Sequence, residues 1–389
     1  MYNQIVRTMF VVASAVSMVG GCLLAPVLAA PADQRELMER ISALEARLDA
    51  QAEQPAGVVL PDWARRFHFS GVIEVEAGYE RVDYDDPASD DEDSSDITLA
   101  TAQLGIDVDV VDNVSGSIVF LWEEDDTEPV DVDEAYITLG GSEQVPVYLR
   151  GGKMYLPFGD YTTSMISDPL TQELGEIRES ALEVGYEASG FCVAAYVFNG
   201  DIDEAGEDSH IDNFGVTVGY TLERDNFNID VGVCYINNLI DSDGYGDAFE
   251  DAQDEAAVAG ATLELKDYVG GFGAHVVVDI AGVNIVAEYV GATEDPEYLL
   301  NGVKTTGDAI SAWNIELGYT FTAAAKEITV AAGYQGSDDA AAMLAESRYI
   351  GSVAVALAQY TTLALEYCHD EFDNDDEGDA VTAQLALEF

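Results

Sequence analysis

Basic residues are scarce in this sequence. Fifteen lysines and arginines stand against 75 aspartates and glutamates, which gives a formal net charge of −60. Such a chain repels the phosphates of nucleic acid, so we expect no nucleic-acid partner. Two origins of the acidity stay open. One is a saline habitat, where salt screens charges over about 3 Å at 1 M. The other is a pore or loop surface that attracts cations.

Cysteine and histidine are also rare, with four of each. Beyond the first 30 residues the cysteines are Cys192, Cys234 and Cys368. They are odd in number and widely spaced, which excludes a disulfide framework and a CxxC metal site. The histidines are scattered, and no serine lies in a GxSxG turn. We interpret His369, beside Cys368, as a strand end that runs into an acidic loop. We therefore expect no enzyme, no cofactor and no metal site.

Long apolar runs are confined to the first 30 residues. Arg7, the apolar stretch after it and the small residues at 27–29 predict a signal peptide over residues 1–30. A membrane anchor and a lipoprotein site at Cys22 are the alternatives. No later stretch approaches 18 apolar residues, which excludes a transmembrane helix. A membrane β-barrel stays open, because its strands need only about 9–11 residues.

Residues 31–54 predict the one convincing helix. Leu37, Ile41, Leu44 and Leu48 recur at helical spacing, flanked by glutamate and arginine. We expect a periplasmic, coiled-coil-like helix that supports a homo-oligomer such as a trimer. The alternative is a single amphipathic helix that lies against the domain. Proline and glycine then predict a linker over residues 55–66.

From residue 67 onward, apolar and polar residues alternate with the period of a β-strand. "FHFSGVIEVEAGY" begins the pattern, and "AVTAQLALEF" carries it to the last residue, Phe389. Many of these runs have a tyrosine near one end, as the aromatic girdle of a membrane barrel does. We expect the terminal strand to close a barrel over residues 67–389, in contact with outer-membrane lipid.

Long acidic connections alternate with short turns along this region. The long ones lie at 83–95, 123–129, 156–177, 200–210, 238–254, 293–309, 336–346 and 370–379. Eight long loops predict an all-β, antiparallel, up-and-down transmembrane barrel of about 16 strands in the outer membrane. The segment 256–267 is interpreted as a strand extension within a long loop.

The third long connection, with its flanks, is the candidate pore constriction. Proline and glycine allow sharp bends there, and acidic and basic side chains are interspersed. Acid facing base across a narrow pore would orient charged solutes. The alternative is a set of ordinary loop charges. The candidate constriction and ligand-binding residues are Arg150, Lys153, Asp160, Asp168, Glu173, Glu176 and Arg178.

This stretch also carries a family resemblance. "PFGDYTTSMISDPLTQELGEIRE" and the later "FNGD" resemble the LbtU family of outer-membrane siderophore porins. The resemblance extends from about residue 33 to the end of the chain. It implies a 16-stranded barrel that takes up ferric siderophore without a plug and without TonB-dependent coupling. A carboxylate siderophore is the substrate that it suggests, and Arg150, Lys153 and Arg178 are the residues that would contact such a cargo.

Two other functions compete with this hypothesis. One is a general cation-leaning diffusion porin. The other is a structural barrel, tethered by the N-terminal helix to the cell wall or to another protein. Conductance separates the structural barrel from both channels, and competition by ferric siderophore separates the two channels.

Overall fold

The computed structural model describes residues 63–85, 89–124, 130–340 and 343–389. The predicted signal peptide, the predicted helix over 31–54 and most of the linker lie outside these ranges. A 3-10 helix, Ala64–Arg66, directly precedes the first strand, and the α-helices within the described ranges are α1 (Leu170–Gly175) and α2 (Asp243–Val258).

Sixteen antiparallel strands form one closed barrel, which confirms the predicted fold class. Three further short strands, Leu263–Leu265, Glu297–Leu300 and Val303–Thr306, form a small separate sheet. The strands are β1 (Phe67–Asp83), β2 (Glu92–Val111), β3 (Val114–Trp122), β4 (Asp131–Ser142), β5 (Val145–Tyr155), β6 (Arg178–Ala188), β7 (Phe191–Phe198), β8 (Asn213–Arg224), β9 (Phe227–Ile236), β10 (Leu263–Leu265), β11 (Gly271–Ile280), β12 (Val283–Ala292), β13 (Glu297–Leu300), β14 (Val303–Thr306), β15 (Ser311–Ala323), β16 (Lys326–Asp338), β17 (Ser347–Ala358), β18 (Thr361–Glu371) and β19 (Glu377–Glu388).

The last strand closes the barrel against the first. β19 pairs with β1 from Val72 opposite Glu388 through to Asp83 opposite Glu377. The pairing continues at the final residue, where the Gly71 N–H donates to the Phe389 carbonyl at 2.8 Å and the Phe389 N–H donates back at 3.0 Å. The alternating terminal strand therefore leaves the barrel without a free sheet edge at this seam.

Alternation along the strands separates an apolar outer face from a polar inner face. On β6, Leu182, Val184 and Tyr186 are exposed, whereas Glu183 between them is buried. Outward aromatic rings form a row across neighbouring strands: Trp313 lies 4.7 Å from Tyr334, which lies 4.9 Å from Tyr349. Such an apolar band with aromatic rings is the surface that a barrel presents to lipid.

Short turns and long connections alternate around the barrel, as predicted. The short turns are 112–113, 143–144, 189–190, 225–226, 281–282, 324–325 and 359–360. The intervening connections are longer and lie at the opposite end. Within the described ranges, none of the helices combines the length and apolar character needed to cross a membrane.

The longest connections fold into a small cap of their own. Helix α2 (Asp243–Val258) and strands β10, β13 and β14 belong to the connections 237–270 and 293–310. Their apolar core contains Ile202, Ile240, Phe249, Leu265 and Val269. The segment 256–267, interpreted as a strand extension within a long loop, does lie within a long connection. It extends no barrel strand, however, because it ends α2 and forms β10, which pairs with β13 in the cap.

Candidate constriction site

The connection between β5 and β6, which we call the constriction loop (residues 156–177), crosses the interior of the barrel. It contains a short helix, α1 (Leu170–Gly175), whose side chains are largely buried. Its hydrogen-bond partners include residues of β9, β12, β15, β16, β17 and β18. In the closed order of strands, β16 and β17 are about halfway around the ring from β5 and β6. The loop can reach them only through the lumen.

Three buried glutamates on the far wall hold the loop, and we call Glu288, Glu316 and Glu366 the anchor glutamates. Their exposed fractions are 5%, 1% and 2%. Each carboxylate accepts hydrogen bonds from a different pair of successive loop residues, so the contacts repeat at a spacing of three residues. Carboxylates that accept N–H and O–H donors make the stronger class of hydrogen bond.

The donors are arranged in order along the loop. Glu288 accepts from the backbone N–H of residues 160 and 161, at 2.7 and 3.1 Å, and from the Thr171 hydroxyl at 3.0 Å. Glu316 accepts from the Thr163 hydroxyl at 2.6 Å and from the N–H of residue 164 at 2.9 Å. Glu366 accepts from the N–H and the hydroxyl of Ser167, at 3.1 and 2.6 Å, and from the N–H of residue 166. These bonds satisfy backbone donors that the irregular loop cannot pair with itself.

An arginine on β17 adds an ionic contact. Arg348 pairs with Glu173 of α1 at 2.9 Å. It also binds Asp370 of β18 with two nitrogens, at 2.8 and 3.0 Å. Its guanidinium further donates to the backbone carbonyl of Asp168 at 3.4 Å. This cation therefore links the constriction loop to two strands of the far wall.

The near wall carries the predicted basic residues. Arg150 on β5 lies 3.4 Å from Glu183, its cross-strand neighbour on β6. Its guanidinium also lies over the rings of Tyr136 and Tyr148, 5.0 and 5.3 Å from their centroids. The Tyr148 hydroxyl in turn donates to Glu183. Arg150 is thus held between a carboxylate and two aromatic faces, a setting that suits a guanidinium better than an ammonium.

The other two basic residues are also paired with acids on the near wall. Arg178 donates to Asp133, which is fully buried, at 2.6 Å. Tyr155, opposite Arg178 in register, donates to the same carboxylate at 3.1 Å. Lys153 lies 3.6 Å from Asp131. The partners of the three basic side chains are therefore carboxylates of β4 and β6, not the acids of the loop.

The predicted loop acids occupy several environments. Asp160 accepts from the N–H of Thr162 at 3.2 Å. Glu176 accepts from Gln172, one turn earlier, at 2.9 Å. Glu173 binds Arg348, and Asp168 contacts the same arginine only through its carbonyl. The predicted residues thus share one connection and its flanking strands, but the cation that faces the loop acids is Arg348, which the sequence analysis did not identify.

The cap contacts the constriction loop at the end of α1. Ser242 donates its hydroxyl to the Leu174 carbonyl at 2.6 Å, and the N–H of Asp243 donates to the Glu176 carbonyl at 2.8 Å. Beside them, buried Asp241 accepts from the N–H of Asp201 at 2.8 Å. Burial raises the pKa of Asp241 to about 6, although hydrogen bonds from residues 201 and 202 favour its ionised form. The cap and the loop therefore share a polar seam.

The anchor glutamates were missed in the sequence, although a signal was present. Each is a single glutamate at an inward position of an otherwise apolar strand, in "VAEYV", "NIELGY" and "LALEYC". Glu183 in "LEVGY" has the same pattern, yet it binds Arg150 rather than the loop. The pattern therefore identifies inward glutamates but not which of them holds the loop.

Comparison with known proteins supports the fold. No protein-family model matches the chain. A UPF0422 protein of Coxiella burnetii is 28% identical over 340 residues, which cover 85% of this chain and 69% of the relative. A UPF0422 protein of Legionella pneumophila subsp. pneumophila is 27% identical over 309 residues, or 71% of this chain and 54% of the relative. The chain thus spans about half the length of the Legionella relative.

Solved structures with a similar fold include an outer-membrane channel and a porin. The channel DcaP of Acinetobacter baumannii superposes with a TM-score of 0.56 at 15% identity, over 83% of this chain and 97% of that chain. OprB of Pseudomonas putida superposes with a TM-score of 0.55 at 9% identity, over 84% of this chain and 95% of that chain. An anion-selective porin from Comamonas acidovorans superposes with a TM-score of 0.53 at 10% identity, over 83% of this chain and 99% of that chain. At these identities the likeness shows the fold, which is that of an outer-membrane porin barrel.

Proposed function

We propose that the protein is an outer-membrane diffusion channel of the porin class. The observation that carries the proposal is the constriction loop, which crosses the lumen and is fastened to the far wall by the anchor glutamates. A structural barrel has no need of such a loop. The apolar outer face and its aromatic row support a position in the outer membrane, in contact with lipid.

The two sides of the constriction differ in chemistry. The near wall presents Arg150, Lys153 and Arg178 beside tyrosines, whereas the loop side presents Asp160 and Glu173. Basic groups opposite acidic groups produce a transverse field that orients a charged solute as it passes. We propose that this region selects the solute.

The proposed solute is a ferric siderophore of the carboxylate class. Support comes from the resemblance of residues 157–179 to the LbtU siderophore porins and from the arginines of the near wall. Guanidinium groups bind carboxylates in a bidentate manner, and Arg150 and Arg178 are the groups that would contact the carboxylates of the cargo. The same resemblance implies that uptake is diffusive, without a plug and independent of TonB.

A cation-leaning general porin is the second candidate. Its support is the net charge of −60 together with the pairing of all three near-wall basic residues to wall carboxylates. Paired in this way, the near wall gains little net positive charge. On this alternative the channel would favour cations and show no preference for a siderophore.

Planar-bilayer recordings with a ferric carboxylate siderophore on one side distinguish the candidates. Selective uptake predicts reversible block of open steps by the siderophore, with the block lost in Arg150→Ala. Arg224→Ala is the matched control, since Arg224 lies beside a short turn and bonds a backbone carbonyl. Open, cation-selective steps that are indifferent to the siderophore would favour the general porin.

We also propose that the barrel assembles into a homo-oligomer, with a trimer as the expected state, through the predicted helix over residues 31–54. Native mass spectrometry of the full chain and of a variant that lacks residues 31–54 tests this. A monomeric full chain would overturn the proposal.

A further inference from the structure

One group of potential metal ligands lies where the constriction loop meets the barrel wall. Asp160 of the loop, Asp230 of β9 and His275 of β11 can each present a ligand atom, and these atoms all lie within 4.8 Å of one another. Across the parts of the chain that the structure describes, no other set of three histidine, cysteine or acidic residues meets this criterion. In a chain with 75 acidic residues, this juxtaposition therefore distinguishes the site from the general acidity.

We propose that Asp160, Asp230 and His275 form a binding site for a first-row divalent transition-metal cation in the lumen. Imidazole nitrogen and carboxylate oxygen together suit zinc, nickel, cobalt and ferrous iron, whereas calcium and magnesium prefer oxygen alone. Water would complete the coordination shell. The inference rests on these side chains and does not depend on the proposed channel function.

The wall half of the site is already organised for ligation. A ring nitrogen of His275, Nε2, lies 2.9 Å from a carboxylate oxygen of Asp230. The other carboxylate oxygen of Asp230 accepts a hydrogen bond from the Thr221 hydroxyl. The bond from Thr221 orients Asp230, as outer-shell hydrogen bonds to metal ligands do. A metal ion would replace the direct contact between His275 and Asp230, and both side chains would then bind the ion.

The backbone of β9 leaves room for the imidazole. Gly232 lies directly opposite His275 in the β9–β11 pairing. A Cβ atom at this position would come within 2.9 Å of the His275 Nε2 atom. Glycine therefore allows the ring to lie across β9 and to reach Asp230. The side chains of His275 and Asp230 remain 14% and 35% exposed, so an ion in the lumen can approach them.

The third ligand makes the site span two parts of the molecule. The N–H of Asp160 is bound by the anchor glutamate Glu288, which faces His275 across the β11–β12 pairing. Glu288 thus places the start of the constriction loop beside the site. A cation bound to all three ligands would fasten the loop to β9 and β11.

Isothermal titration of the folded full chain in detergent micelles with zinc chloride tests the proposal, with calcium chloride as the comparison ion. We expect one zinc per chain and no displacement by calcium. His275→Gln and Asp160→Asn should each weaken zinc binding at least about tenfold. Both substitutions nearly preserve side-chain volume, and the heat-modifiable mobility of the barrel on gels verifies that each variant is folded.

His369→Gln is the matched control. His369 also faces two carboxylates, at 3.0 Å from Asp379 and 3.8 Å from Glu371, but on β18 and away from the loop. Zinc binding unchanged in His369→Gln and weakened in His275→Gln supports the site. Equal binding in His275→Gln and the unaltered chain, or loss of binding in His369→Gln, overturns it. Because titration needs no ion flow, a closed channel would leave this result interpretable.

Discussion

Removal of one anchor glutamate should release the centre of the constriction loop. In Glu366→Ala, the N–H groups of Ile166 and Ser167 lose their acceptor, as does the Ser167 hydroxyl. A buried donor left without a partner costs about 1–3 kcal/mol. Ile166 and Ser167 are half-buried, so the two backbone groups together should cost about 2 kcal/mol, at the lower end of the summed range.

That free energy corresponds to a large change in the population of the undocked loop. A shift of 2 kcal/mol is about a 30-fold change in an equilibrium constant, since about 1.4 kcal/mol is tenfold. Hydrogen–deuterium exchange measures this directly, because the amides of residues 166 and 167 exchange only when their bonds to Glu366 open. We expect protection in the peptide that covers them to fall at least about 30-fold.

Two variants sharpen the experiment. Glu366→Gln keeps one acceptor oxygen and should give an intermediate loss of protection. Glu76→Ala removes an inward glutamate of β1 that accepts a hydrogen bond from Gln384 of β19 rather than from the loop. It should leave the loop protected. If protection of residues 166 and 167 is the same in Glu366→Ala as in the unaltered chain, the wall carboxylate does not hold the loop.

Three further predictions concern other parts of the barrel. Arg178→Ala leaves the fully buried Asp133 without its cation and should destabilise the barrel by about 3–5 kcal/mol, measured by heat-modifiable gel mobility against Arg224→Ala. Gly152→Ala should destabilise the folded barrel by more than about 1 kcal/mol and lower the folded fraction on gels, because Gly152 has a φ of +144° and a Cβ there would lie 2.6 Å from the Tyr136 Cα. A Cβ at Gly78 meets nothing within 4 Å, so the control Gly78→Ala should fold normally. The raised pKa of Asp241, about 6, means that docking of the connection 199–212 is strongest below the ordinary aspartate pKa and weakens as pH rises through 6. Exchange protection of residues 201 and 202, corrected for intrinsic rates, should therefore be higher at pH 5 than at pH 7.5, and Asp241→Asn should abolish that difference.

The strands of the barrel could be predicted because their signal is local. An alternation of apolar and polar residues over about ten positions indicates which face of a strand is apolar. The alternation of long and short connections gives the direction of each strand. β1 begins at Phe67, where the alternating pattern begins, and the terminal run that ends at Phe389 does pair with β1. These features need no knowledge of which strands become neighbours across the lumen.

The cap could not be predicted in the same way. The sequence of α2, "DGYGDAFEDAQDEAAV", contains two glycines and many acids, and it resembles a solvated loop. It is helical because Phe249 packs into the apolar core of the cap, beside residues that are distant in sequence such as Leu265. Tertiary packing thus determines the helical structure of a segment whose intrinsic helix propensity is weak.

The role of residues 156–177 as a constriction stays a prediction, and their contacts could not be predicted from the sequence. The bends and mixed charges of residues 150–179 did draw attention to the connection that enters the lumen. Which charges meet depends on strand register and on the path of the loop. Arg150 pairs with Glu183 because β5 and β6 place them opposite each other, and Glu173 meets Arg348 because the loop reaches β17. Residues this far apart in sequence leave no local pattern from which their contact could be predicted.

The most direct test of the central claim is single-channel recording in planar bilayers, with the folded chain and Glu366→Ala measured side by side. We expect discrete open steps from the unaltered chain. We expect larger and noisier steps from Glu366→Ala, because the loop that narrows the lumen is released. A correctly folded barrel that produces no steps, or steps of identical size and noise in both proteins, would contradict the claim that an anchored loop constricts a channel.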